Sequence, residues 1–267
     1  MASRCSTASR SRRGAERDDG GRAVLDGRAG APTSPSRTQF RRHDLIDLMK
    51  KLEKTRYHAD RCALLTKEAL ANATASSTGV QHADHTSGIE AEVEAFLFQC
   101  KATLDVLAKL LRPLANIKLA TFGDKGDTVI KALQRNVAQD RAVKAAELVR
   151  LIEHDQGWLT DMITLRDTVG HFRGLVSTGV RSLHVGDAVL VHEPSDKNGV
   201  PFTKLVATYY YNLLTFAEDF VALALNLAMP PMLAVMTVGE TDREDLAKYK
   251  YGIGALNLPP PNPQNPG

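Results

Sequence analysis

The stretch IEAEVEAFLFQCKATLDVLAKLLRPL, residues 89–114, decides the fold of this chain. Its apolar side chains recur at steps of three and four residues, which is the spacing of one helix face. The stripe consists of Ile89, Val93, Phe96, Cys100, Leu104, Leu107 and Leu111. A near-heptad stripe of this kind is typical of a helix at the centre of a bundle. We therefore predict an all-α protein in which other helices pack around this one.

Weaker apolar periodicity predicts further helices on both sides of the central helix. Asp127 is expected to be the N-cap of a short helix. Gly157 either breaks the chain between two helices or lies within one continuous helix. The predicted segments cover about 36–71, 127–135, 143–154, 158–172 and 202–228. Together with the central helix they predict an up-and-down helical bundle of four to five main helices.

Residues 178–204 differ in character from the helical segments around them. A short β-prone run covers 185–191, and the Asp-Lys-Asn-Gly sequence at 196–199 is a turn signal. We predict a small β-hairpin or an irregular insertion at about 178–204. The predicted organisation is a disordered Arg/Ser/Gly-rich tail over 1–36, a helical bundle over 37–235 and an irregular, Pro-rich tail over 236–267.

The basic side chains are unevenly distributed. Of 34 basic and 31 acidic residues, 10 and 4 lie in residues 1–43, giving that segment a charge of +6. The other 224 residues hold 24 basic and 27 acidic side chains, a charge of −3. A basic tail adds non-specific affinity for RNA or DNA, although a plain solubilising leader has the same composition. Nucleic-acid contact by the folded body requires a local basic patch.

Cysteine usage indicates a reducing compartment. Cys5, Cys62 and Cys100 are too few and too scattered for a disulfide framework or a CxxC zinc site. Cys62 and Cys100 fall on apolar helix positions, where a cysteine is expected to be a small buried hydrophobe. The N-terminal segment also lacks the apolar core of a secretory signal. We therefore expect a cytoplasmic protein.

Neither a cofactor, a metal ion nor a membrane is expected as a partner. His82 and His85 form a His-x-x-His pair in a polar loop, but no third ligand is near them in the sequence. The most apolar run, 220–238, is interrupted by Pro230 and Pro231. This pattern favours a buried helix followed by a proline stop over a membrane span.

Chemically reactive side chains meet in MITLRDTVGHFRG, residues 162–174, which is typical of the last turns of a helix. Arg166 carries a permanent charge and a planar fork that suits phosphate oxygens. His171 exchanges a proton near neutral pH, as a general acid or base must. Asp167 precedes His171 by four residues on the same helix face, so we expect it to orient the imidazole. Arg173 either binds nucleic acid beside this site or is an ordinary charge at a helix C-terminus.

The spacing of Arg166 and His171 places them about 140° apart around an ideal helix. They therefore do not share a face. Either Gly170 loosens the last turn so that His171 swings round, or the pair is completed across the axis of a dimer.

Arg166, Asp167 and His171 resemble the motif of HEPN domains, in which an arginine and a polar residue are followed, after three more residues, by a histidine. In that superfamily the motif lies near the end of a late helix of an α-helical bundle. The 96–111 segment, with its Leu104-Asp105 step, is similar to the helix that packs against the motif. The similarity covers about residues 40–228.

This resemblance implies a homodimer in which two motif helices meet and form a composite cleft. Many HEPN proteins are metal-independent endoribonucleases of toxin–antitoxin, CRISPR-linked and other antiviral systems, and others are non-catalytic bundles that bind RNA or protein partners. We therefore expect an RNA-cleaving toxin or defence protein with an antitoxin or other protein partner, or a non-catalytic bundle. Arg173 stands where some members carry a tyrosine that a nucleotidyltransferase antitoxin modifies, so that regulation is not expected.

Overall fold

Helices account for most of the chain that the computed structural model describes, namely residues 37–75, 86–170, 180–185, 188–230, 232–238 and 250–255. The helices are α1 (Arg37–Ala75), α2 (Thr86–Ala115), α3 (Asp127–Asn136), α4 (Ala142–Gly170) and α5 (Phe202–Ala228). Two antiparallel hairpins pair β1 (Arg181–Val185) with β2 (Ala188–His192), and β3 (Leu233–Thr237) with β4 (Tyr251–Ala255). The predicted all-α bundle with a small β-insertion is confirmed.

The four long helices pack in an up-and-down arrangement. α2 and α5 contact each other, and each of them also contacts α1 and α4. His58 and Lys51 of α1 bond to Glu92 and Gln99 of α2, so these helices run antiparallel. α4 and α5 are antiparallel as well, since residue 141 bonds to 227 and residue 158 stacks on 216.

The stripe of α2 forms the centre of the core. Every member from Ile89 to Leu111 is at most 1% exposed, and Cys62 of α1 is fully buried beside it. An aromatic cluster with ring centroids 5.8–6.2 Å apart extends the core toward α4 and α5. Its members are Phe122, Trp158, Phe216 and Phe220.

One carboxylate of α2 positions the connection that leads to α3. Asp105 Oδ1 accepts hydrogen bonds from Lys101 Nζ at 2.6 Å, from Thr121 Oγ1 at 2.8 Å and from the backbone N–H of Phe122 at 2.9 Å. The Lys101 side chain is 11% exposed and the Asp105 side chain 28%. Because Phe122 is fully buried, these bonds fix the connection at the point where it enters the core.

The structure corrects one local prediction, the N-cap of α3, and decides between the alternatives for Gly157. The N-cap of α3 is Gly126 rather than Asp127, because the backbone there has a positive φ of 72°. A Cβ at Gly126 would lie 2.3 Å from Ile152 Cγ2, so only glycine fits. Gly157 does not interrupt the chain, and α4 is one continuous helix of 29 residues. The turn predicted at 196–199 is confirmed: the N–H of Gly199 donates to the carbonyl oxygen of Asp196 at 3.0 Å, inside a bridge between residues 195 and 201.

The irregular tail predicted from residue 236 onward is wrong for β4, which pairs with β3. Side chains of α5 hold this hairpin. Asn226 accepts a 2.6 Å bond from the N–H of Val235 and donates to its carbonyl oxygen at 3.2 Å. Asp219 accepts bonds from Lys250 Nζ and from the Tyr251 hydroxyl.

Several predictions concern residues outside the described part of the chain. These are the 1–36 tail, Cys5, the His82–His85 pair, His171 and Arg173. Within the described ranges, no helix combines the length and the apolar character that crossing a bilayer requires.

We expect Asp105→Asn to lower the free energy of unfolding by about 2 kcal/mol, because the substitution leaves the mostly buried Lys101 ammonium without its counter-charge. The value lies below the roughly 3–5 kcal/mol of fully buried pairs because solvent reaches Asp105. Urea unfolding measures it. The control is Asp124→Asn, an exposed residue of the same connection, which should change stability by less than about 0.5 kcal/mol. Equal losses in both variants would contradict the anchoring role.

The contribution of Asp105 should also depend on pH. Burial alone would raise the pKa of Asp105, but hydrogen bonds from Lys101, Phe122 and Thr121 outweigh it and hold the pKa below the ordinary 3.8. A depressed folded-state pKa gives stability that is complete above the unfolded-state value and is lost as pH falls through the folded-state value. The difference between wild type and Asp105→Asn should therefore be constant from neutral pH to about pH 5 and shrink below about pH 4. A difference that grows in acid would contradict this assignment.

Candidate functional site

Two of the predicted site residues lie together in the last turns of α4. Arg166 Nη1 is 3.0 Å from Asp167 Oδ1, and the side chains are 23% and 42% exposed. Neighbouring residues project about 100° apart from a helix, so the long arginine side chain must curl to reach the carboxylate. An ion pair this accessible to water contributes little to stability.

A phenylalanine from α2 lies beside the Arg166 guanidinium. The guanidinium carbon is 6.0 Å from the centroid of the Phe98 ring, near the outer limit of a cation–π contact. The Phe98 side chain is 46% exposed, so the ring and the cation form a partly open surface between α2 and α4. Phe98 was missed in the sequence because it lies off the apolar stripe of α2. The sequence signal that could have identified Phe98 is an aromatic residue outside the apolar stripe of a regular helix.

The guanidinium of Arg166 is only partly satisfied. Its Nε is buried and has no hydrogen-bond partner among the described residues. Nη1 is occupied by Asp167, whereas no bond to Nη2 is found in that part of the chain. A buried donor without an acceptor costs about 1–3 kcal/mol. Such a donor does not stabilise the fold, and buried polar groups without a partner are often found at functional sites.

His171 and Arg173, the other predicted site residues, lie outside the described residues. The expectation that Asp167 orients His171 therefore stays a prediction, and the partner described for Asp167 is Arg166. Both ways of bringing Arg166 and His171 together, a loosened last turn and a dimer axis, also stay open.

Tyr209 of α5 interacts electrostatically with Asp161 of α4. Burial, followed by the carboxylates of Asp161 and Asp196, raises the pKa of Tyr209 to about 12. Tyr209 therefore keeps its proton at neutral pH and cannot act there as a general base. Of the three consecutive tyrosines, Tyr209 and Tyr210 are partly buried, whereas Tyr211 is 70% exposed.

A second group of charged side chains lies between α1 and α2. His58 Nδ1 is 2.7 Å from Glu92 Oε2, and Arg61 Nε is 3.8 Å from Glu92 Oε1. The contact joins two antiparallel helices, so its simplest role is to hold them together. No group of three or more His, Cys, Asp or Glu side chains within the described ranges is arranged to hold a metal ion.

Comparison of the chain with protein-family models, with curated proteins and with solved structures finds no match. The interpretation of the site therefore depends on the residues of this chain and on the sequence motif.

We expect Arg166→Met to leave the free energy of unfolding unchanged or to raise it by up to about 1 kcal/mol. Methionine keeps most of the apolar stem beside Phe98 and removes the buried Nε, for which the described part of the chain provides no acceptor. Urea unfolding is again the measurement.

The matched control for Arg166→Met is Arg141→Met. Arg141 Nη1 donates a 3.0 Å hydrogen bond to the carbonyl oxygen of Leu227, so this variant should lose about 1 kcal/mol. If Arg166→Met lost as much stability as the control, Arg166 would be a structural residue.

Proposed function

We propose that this protein is a metal-independent endoribonuclease of the HEPN type, active as a cytoplasmic homodimer in which two α4 helices meet. Arg166 binds the scissile phosphate, His171 transfers protons and Asp167 keeps these side chains in position. The observation that supports the proposal is the Arg166 guanidinium, which is partly exposed near the end of a late bundle helix and whose buried Nε has no hydrogen-bond partner among the described residues. RNA cleavage is proposed as the reaction because residues 166–171 resemble the HEPN motif.

The proposed reaction uses the nucleophile that RNA carries itself. The 2′-oxygen loses its proton to a base and attacks the adjacent phosphorus, while the bond to the 5′-oxygen breaks and that oxygen takes up a proton. A 2′,3′-cyclic phosphate and a 5′-hydroxyl result. An imidazole such as that of His171 suits both proton transfers. A guanidinium such as that of Arg166 stabilises the charge that develops on the phosphoryl oxygens.

A dimer is proposed because one α4 helix presents Arg166 and His171 poorly to a single phosphate. An ideal helix separates the two side chains by about 140°. Two α4 helices that meet near a two-fold axis bring the arginine of one protomer toward the histidine of the other. The exposed part of the Phe98 ring beside Arg166 offers apolar surface for such a contact.

The wider biological proposal follows from the same motif. An RNase of this type fits a toxin or defence protein that is controlled by an antitoxin or another protein partner, and Arg173 is proposed to contact the RNA.

A second function, a non-catalytic bundle that binds RNA or a protein partner, is favoured by one observation. The Asp167 carboxylate already neutralises the Arg166 edge that a phosphate would otherwise occupy.

The nuclease proposal predicts that labelled RNA is cleaved in the presence of EDTA. His171→Ala should lower the cleavage rate at least about 10²-fold, and Arg166→Ala should lower it by a similar factor. The control is His154→Ala, which removes an exposed histidine of the same helix and should leave the rate unchanged. The nuclease proposal fails if wild type does not cleave RNA, or if His171→Ala cleaves it as fast as His154→Ala.

A mixing experiment tests the dimer part of the proposal. If each site takes its arginine and histidine from different protomers, equal amounts of the inactive Arg166→Ala and His171→Ala proteins, exchanged into heterodimers, form one intact site per heterodimer. About a quarter of wild-type activity should return, because half of the dimers are mixed and each holds one working site of two. If heterodimers form without activity, the two residues act within one protomer.

A further inference from the structure

The positive charge of the folded body is concentrated in one segment. Residues 109–150 contain nine Lys and Arg but only four Asp and Glu, a charge of +5. Residues 44–108 and 151–267 carry −3 and −5 respectively. The folded part of the chain is acidic overall but contains one basic region. Such a local basic patch is what the folded part needs in order to contact nucleic acid.

The basic segment folds around a groove at one end of the bundle. α2 ends there because Asn116 adopts a left-handed conformation with a φ of 59°. The backbone N–H groups of Asn116 and Ile117 then donate to the carbonyl oxygens of Arg112 and Leu111 at 3.0 and 3.2 Å. The chain turns beside α3 and leaves a groove of about 500 Å³. We call it the α3 groove. Its polar lining consists of Asn116, Lys118, Asp127, Thr128, Lys131, Arg135 and Asn136, and its apolar lining of Ile117, Leu119 and Ala132.

Two cations of the α3 groove are uncompensated. Lys118 and Arg135 are exposed and make no ion pair or hydrogen bond with any residue that the structure describes. Lys131 is 3.1 Å from Asp127 Oδ2, so the carboxylate in the groove is already paired. Lys131 and Arg135 are four residues apart and lie on the same face of α3, about 6 Å apart along the axis. The lining of the groove thus contains three cations and one carboxylate, a net charge of +2.

The apolar side chains that line the α3 groove are buried or half-buried, and none of them is aromatic. Among the large hydrophobic side chains that the structure describes as exposed, only Val143 belongs to residues 109–150, and none there is aromatic. Single-stranded nucleic acids are read through aromatic platforms on which bases stack. Membrane-surface binding combines cations with exposed apolar anchors. Cations and amides beside buried or half-buried aliphatic side chains, without an aromatic platform or an exposed apolar anchor, suit a phosphate backbone whose bases point away.

We propose that the α3 groove binds the sugar–phosphate backbone of single-stranded RNA through Lys118 and Arg135, independently of base sequence. The choice of RNA rests on the proposed function, which this site extends. Gly126, at the start of α3, packs on Ile152 of α4, whereas Arg166 lies 14 residues further along that helix. The two sites are therefore about 20 Å apart along α4 and would contact different nucleotides of one strand. The groove holds the substrate while the phosphate at Arg166 is cleaved.

The test is fluorescence anisotropy with a labelled 2′-O-methyl oligoribonucleotide, whose blocked 2′-oxygen prevents cleavage. The double variant Lys118→Ala with Arg135→Ala in the full chain is compared with wild type over a range of salt concentrations. Removing two phosphate contacts should reduce the slope of log affinity against log salt by about 1.4 and lower affinity on the order of tenfold at low salt. Lys118→Arg with Arg135→Lys keeps both charges and should retain most of the affinity.

The matched control is Lys54→Ala with Lys67→Ala, which removes two exposed lysines of α1 that have no described partner. It makes the same change in net charge on another helix, so it should leave the salt slope unchanged. Equal losses in the two double variants would show a general charge effect and overturn the site. An unchanged affinity in the groove variant would overturn it too, and would assign RNA binding elsewhere, such as the arginine-rich tail.

Other ligands and the nuclease proposal are separated by further arms of the experiment. Groove-dependent binding to phosphatidylserine vesicles, without groove-dependent RNA binding, would assign the groove to lipid headgroups and overturn the proposal. Displacement of the RNA by millimolar inorganic phosphate would assign it to free phosphate. If the groove variant loses RNA binding but wild type never cleaves RNA, the nuclease proposal fails, whereas the proposal that the α3 groove binds RNA is supported.

Discussion

Burial of the α2 stripe is the constraint on which the rest of the structure depends. Each fully buried Leu, Ile or Phe contributes roughly 1.5–3 kcal/mol, and the stripe is completely enclosed by α1, α4 and α5. These three helices run roughly along the axis of α2 and so cover the stripe over its length. Asp105 fixes the connection that follows α2, because its carboxylate accepts a hydrogen bond from the backbone N–H of the buried Phe122. This bond sets where α3 and then α4 begin.

The same bundle explains why Arg166 is held in an unfavourable environment. α4 is a single helix that packs on α3 and α5, and Arg166 near its C-terminal end lies beside Phe98 of α2. There the guanidinium keeps one buried donor that has no acceptor among the described residues, and it contacts the half-exposed carboxylate of Asp167. Neither feature contributes much to the stability of the fold, and this is the physical reason for proposing that Arg166 has a role in binding.

The sequence predicted those elements whose signals are local. α2 has a regular stripe, and α5 lies between Pro201 and Pro230, so both were found close to their true ends. β4 was missed because Tyr-Gly-Ile-Gly-Ala is a poor strand sequence, and contacts with Asp219 and β3 hold it in place. The site shows the same division. The spacing identified Arg166 and Asp167, but their pairing and the ring of Phe98 depend on how α2 and α4 pack.

Arg166 itself offers the most direct test of the central claim that its guanidinium is held for a phosphate. A buried Nε–H exchanges slowly with water, so its proton–nitrogen resonance should be observable and can be assigned from its absence in Arg166→Lys. The account predicts that this resonance shifts and saturates as 2′-O-methyl RNA is added. A resonance that stays unmoved at RNA concentrations that saturate the protein would contradict it.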